Sequence, residues 1–161
     1  MTRMTTTALW LAALLLGLGS TTVVGAKGKL GGKAYFVLER PKDVSLASLE
    51  RQFDKVPPKS ELKREKAGHW VGTMVAFFRK PSAQGPITVW LYDKGDKQAL
   101  KDREPIHQFS VDSTPKEAFV HELDLDPDNG FNKEKSYLVM VGQLINKKEK
   151  IYATGEVKLL K

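Results

Sequence analysis

Three histidines, His69, His107 and His121, and three alternating acids, Asp124, Asp126 and Asp128, are the residues whose types and spacing offer chemistry. Imidazoles ligate zinc or copper and titrate near neutral pH. If Phe109 pairs across a hairpin with Phe119, the same register sets His107 opposite His121. That pair is a metal-ligand candidate or a pH switch, but a third ligand is missing. His69 begins another strand, and its expected neighbour near Leu125 lies about 13 Å from His121 at ~3.3 Å per residue. A structural histidine pair is therefore the plainer expectation, with no cofactor. The acids faintly resemble a calcium loop, in which glycine stands sixth and a bidentate acid twelfth. Counted from Asp124, those places hold Asn129 and Lys135. Turn chemistry accounts for Asp126-Pro127-Asp128-Asn129-Gly130, with Asn129-Gly130 supplying left-handed positions. A loose single-calcium site is the alternative.

Enzyme signatures are missing. The chain has no Gly-x-Ser-x-Gly elbow and no His-Glu-x-x-His helix, and its acids show no paired spacing. It has no cysteine, which excludes disulfides, thiolate metal sites and a cysteine nucleophile. Lys27 to Lys33 (KGKLGGK) lacks the Gly-Lys-Ser/Thr of a phosphate loop. The 26 Lys and Arg residues are interspersed with 19 Asp and Glu, so no nucleic-acid footprint is expected. A non-enzymatic protein follows.

The elements that must position these residues are legible from periodicity. Arg3, the apolar Ala8–Leu18 run and Val24-Gly25-Ala26 predict a signal peptide over 1–26, cleaved near Ala26. The expected organisation is a flexible leader at 27–33 and a β-sandwich domain at 34–161, with no transmembrane segment in the mature chain. An exported, cysteine-free domain suits a bacterial periplasm or cell surface. Leu46, Leu49, Phe53 and Val56 form the stripe of a helix over Ser45–Lys55, begun by Asp43 or Ser45 and stopped by Pro57-Pro58. The charged run Lys59–Gly68 is expected to be a solvated loop. Strands are predicted at Ala34–Arg40, Trp70–Lys80, Pro86–Asp93, Ile106–Asp112, Phe119–Leu125, Tyr137–Ile145 and Ile151–Leu160. The second and third should form a hairpin across Ser82–Gly85, and Asn146–Lys150 should link the last two. This pattern predicts a mainly β, seven-stranded antiparallel sandwich, with one short helix between its first two strands.

The stretch Leu125-Asp126-Pro127-Asp128-Asn129-Gly130-Phe131, followed by Lys135-Ser136-Tyr137-Leu138-Val139-Met140-Val141, resembles the E–F corner of immunoglobulin-like and fibronectin-type domains. The resemblance covers about residues 69 to 161 and concerns the fold alone. It implies that the Tyr137 hydroxyl ties back to the preceding loop. It also implies that Trp90 takes the strand C tryptophan position, with Ala76 and Val139 where antibody domains carry their disulfide.

If Trp90 and Tyr137 face the core, then Ile87, Val89 and Leu91, with Leu138, Met140 and Leu144, face away. So apolar a sheet face should not stand in water. Either the Ser45–Lys55 helix covers it or a partner does. The expected function is an exported interaction module of the bacterial envelope, docking another envelope or surface protein through this face. The alternative is a ligand-binding protein for an anionic glycan or a metal ion. A weaker third reading is an enzyme inhibitor that acts through charged loops.

Overall fold

The computed structural model describes residues 28–55, 60–65 and 67–161. The signal segment 1–26 and the Pro57-Pro58 helix stop lie outside the described residues. The elements are β1 (Lys33–Val37), α1 (Leu46–Lys55), β2 (Glu61–Leu62), β3 (Trp70–Phe77), β4 (Ile87–Asp93), β5 (His107–Val111), β6 (Ala118–Leu125), β7 (Ser136–Ile145) and β8 (Lys148–Leu159). The described residues are mainly β, with one α-helix among them. Its seven main strands form a curled sheet in the order β5-β4-β7-β8-β1-β3-β6, and the two-residue β2 pairs with β8 off that path.

The sheet is mixed and not wholly antiparallel as expected. β1 meets β8 in parallel at Lys33↔Thr154, and β2 meets it in parallel at Glu61↔Lys158. Two expected hairpins are absent as well. β3 pairs with β1 and β6, whereas β4 pairs with β5 and β7, so the β3–β4 connection crosses from one part of the sheet to the other. The β5–β6 connection does the same. Pro81 and Pro86 in the first connection, and Pro115 in the second, cannot donate to a ladder, which disfavours a tight hairpin at either place.

β8 is the strand that both parts share. A side chain at Gly155 would strike the Ala34 carbonyl, so only glycine lets β1 approach here. The β7–β8 turn is tight, with Asn146 and Lys147 at φ 50 and 62, the two-residue geometry that matches strand twist. The ladder runs Val141↔Ala153 and then Gly142↔Ile151, which leaves Tyr152 as the extra residue of a bulge. The bulge turns Tyr152 and Ala153 inward and sends Ile151 to the outer face.

Inside lie Ala34 and Phe36 of β1, Met74 and Ala76 of β3, Ile87, Val89 and Leu91 of β4, and Val139 and Val141 of β7. Gln143 also points inward and is fully engaged. Its Oε1 accepts from the Ala83 N–H (3.0 Å) and the Tyr152 hydroxyl (2.8 Å), and its Nε2 donates to the Ala83 and Gly85 carbonyls (3.1 Å each). This buried amide fastens the β3–β4 crossing to the β7–β8 hairpin.

The outer face of β1, β3 and β6 presents Tyr35, Val37, Val75, Phe77, Ala118 and Val120. The helix α1 covers this face, not the β4–β7 face predicted for it. Leu49 and Phe53 are buried here, and the Phe53 ring lies 5.6 Å from Tyr35 and 5.4 Å from Phe77. Leu30, from the expected flexible leader, packs into the same cluster, and Gly32 N–H donates to the Phe77 carbonyl. The charged 59–68 run is also anchored. Leu62 is fully buried, and the Arg64 guanidinium lies 5.3 Å above the Trp70 ring. Replacing Phe53 by Ala should cost about 3–5 kcal/mol through lost burial and a cavity. Urea unfolding would measure it, and a loss below about 1 kcal/mol would contradict this packing.

Candidate functional site

The strands β5 and β6 are the two ends of the sheet, and no ladder joins them. Their inward side chains meet instead as a row of rings. Phe119 stacks on His121 (5.8 Å, 9° between planes), and His121 on Phe109 (4.9 Å, 29°). Phe109 contacts His107 (5.9 Å), His107 contacts Phe131 (6.0 Å), and Phe131 meets Tyr137 edge-on (5.1 Å). The expected His107–His121 cross-strand pair is therefore replaced by a stack with Phe109 between the imidazoles. The hairpin register needed for that pair does not form. Among the described residues, no group of three or more His, Cys, Asp or Glu side chains is placed to hold a metal. Burial among these rings holds His121 below its ordinary pKa; Glu122 opposes this to a smaller extent, and Arg40 adds to it. At the end of the row the Tyr137 hydroxyl accepts the Asn132 N–H at 2.7 Å, the tie to the preceding loop that the corner motif implies.

His69 sits where expected, just before the Trp70↔Leu125 pair. Its Nδ1 lies 3.0 Å from Asp124 Oδ1, and its Nε2 lies 3.6 Å from Asp126 Oδ2. Both ring nitrogens face carboxylates. The Asp126 side chain also accepts the Asp128 N–H at 2.8 Å and caps the short 3-10 turn Pro127–Asn129. Gly130, at φ 87, closes that turn, and Asn129 does not share its left-handed conformation. Asp124 and Asp126 thus flank His69, and Asp126 also caps the turn.

The six apolar residues predicted to share an outer face do not share it. Ile87, Val89 and Leu91 have no exposure and lie in the core, whereas Trp90, Tyr92 and Met140 cluster outside with Leu138 and Ile151. β4 is apolar along nearly its whole length, so alternation alone left its two faces indistinguishable. The pairing Trp90↔Met140 fixes them. The outer cluster is nearly buried: Trp90 is 5% exposed and Met140 8%. Leu144 is 62% exposed, away from that cluster at the β7–β8 hairpin.

A more accessible apolar surface lies beside β6. A groove of about 370 Å³ runs between this strand and the approach to α1, walled by Val44, Leu46, Pro81, Pro115, Ala118 and Val120. Arg40, Lys116 and Glu117 supply its charged lining. Arg40 bridges to Glu122 at 3.2 Å. Among the described residues β6 pairs only with β3, so its other edge carries backbone groups without a neighbouring strand. No sequence motif marks this groove, since its walls come from three separated segments.

Because the folded state disfavours charge on His121, stability should be complete above pH 6.5, the ordinary value, and fall as the unfolded chain protonates below it. Urea midpoints between pH 7.5 and about 5.5 should decline in the parent and decline less in His121→Phe. Equal slopes in the two proteins would refute the role given to this ring. Comparison with protein-family models, curated proteins and solved structures returns no significant match to this chain.

Proposed function

We propose that this chain is an exported, non-enzymatic interaction module built on an immunoglobulin-like sandwich, and that it docks a protein partner of the bacterial envelope or cell surface. Support for the sandwich comes from the curled sheet, whose strand order would let β1-β3-β6 and β5-β4-β7-β8 serve as two layers joined through β8. The Tyr137–Asn132 tie supports the same reading. The signal-like Arg3, Ala8–Leu18 and Val24-Gly25-Ala26 support export.

The observation that carries the docking role is the unpaired β6 edge beside an apolar groove. An open edge offers main-chain hydrogen bonds, and an adjacent groove offers side-chain selectivity, the two ingredients of strand addition. The docking surface is accordingly moved from the β4–β7 face to β6. Ile87, Val89 and Leu91 are core residues and reach no partner, and Trp90, Tyr92 and Met140 of the outer cluster are buried.

A photo-crosslinking amino acid at Val120, expressed in intact cells, should yield a discrete protein adduct. The same probe at Leu100, which is 38% exposed on the β4–β5 connection, should not. No adduct at Val120, or identical adducts at both positions, would remove the docking role. N-terminal sequencing of the cell-fractionated protein should begin at Lys27, and an intact Met1 would remove the export reading.

A further inference from the structure

We infer that the β6 groove receives an extended peptide that adds as a strand along Ala118–Val120, seating an aliphatic side chain in the groove and placing a carboxylate against Lys116. This rests on the docking role given above to the same edge and names the chemistry of its occupant.

The first argument is the direction of the backbone groups. Phe78 N–H donates to the Glu117 carbonyl, which sets the phase of the β3–β6 ladder. Hydrogen-bonded pairs alternate along an antiparallel ladder. Phe119 and His121 therefore turn their N–H and C=O groups to β3, and Ala118, Val120 and Glu122 turn theirs to the open side.

The second argument is that only half of this edge is protected. Exposed charges on an edge strand oppose pairing with another chain. Glu122 and Asp124 place carboxylates there, with Arg40 bridging to Glu122 at 3.2 Å. Ala118 and Val120 carry no charge, and the groove opens beside them. A strand added here would alternate its side chains, so every second one would enter the groove. Val44, 49% exposed, together with Leu46 and Val120, gives that side chain an aliphatic wall.

The third argument is charge. Of the two cations that line the groove, Arg40 is bridged to Glu122, which leaves Lys116 to meet an incoming carboxylate. The Lys116 side chain is on the surface at the Pro115 end, while its backbone is tied to Ser82 by a 2.9 Å bond from its N–H to the Ser82 hydroxyl. The ammonium is thus carried on a fixed backbone. A residue two positions from the seated side chain lies on the same face, about 7 Å away, within reach of this lysine. An acidic side chain there meets complementary charge, and a basic one meets repulsion.

The test uses the full chain and two capped peptides, Asp-Thr-Val-Thr-Asp and Lys-Thr-Val-Thr-Lys, read by residue-resolved amide exchange. The aspartate peptide should slow exchange at Ala118 and Val120, with little change at Phe119 and His121. Lys116→Glu should weaken that peptide about five- to tenfold and favour the lysine peptide. Val120→Pro removes an outward N–H without removing a β3 bond, and should abolish binding. If that variant fails to fold, the Lys116→Glu comparison still decides. Equal binding of both peptides with protection at Val120 would overturn the acidic preference and leave edge docking standing. No protection by either peptide at millimolar concentration would overturn both. Protection that grows with protein concentration alone would mean a second copy fills the edge, and would overturn the peptide occupant.

Discussion

The structure depends on one shared strand. β8 pairs with β7 along most of its length, and at its far half it also receives β1 and β2 in parallel. Backbone atoms of Ala34 pass so close to Gly155 that a single methyl group would block them. Parallel strands require a long crossover connection. All the other elements therefore lie in the chain between the two strands that make the closing contact. The sheet curls because β8 belongs to both of its parts, and the interior exists because the sheet curls.

Closure at β8 leaves the opposite side without a ladder. β5 and β6 meet there only through rings, and the two imidazoles in that row are held between phenyl groups and not beside each other. Such stacking supplies contact without backbone hydrogen bonds, so both strands keep an open edge. On β6 that edge adjoins the groove formed where α1 begins. The same α1 shields the outer face of β1, β3 and β6, so one short helix both completes the packing and builds a wall of the candidate site.

Legibility followed the strength of the local pattern. The stripe of Leu46, Leu49 and Phe53 announced a helix, because apolar residues at that spacing can share only one helical face. It did not say which sheet face the helix would cover. β4 misled because Thr88 to Tyr92 offers bulky side chains to both faces, and the resemblance then favoured Trp90 as the inward residue. β2 was hidden because a single leucine among charges has no period, although Leu62 is fully buried. Tyr152 broke the alternation of β8 through a bulge, which is a property of two paired strands and cannot be read from one. The groove beside β6 was invisible for a similar reason: its walls are far apart along the chain.

By itself the sequence determined the mainly β character, the approximate strand positions, the helix and the lack of thiol chemistry. These depend on neighbouring residues and on residue type, so short-range physics suffices for them. Tertiary structure decided the pairing partners, the parallel closure, the inward face of β4, the separation of His107 from His121, and the groove. Each of those depends on where distant segments meet, and a glycine at 155 has meaning only once another strand lies against it.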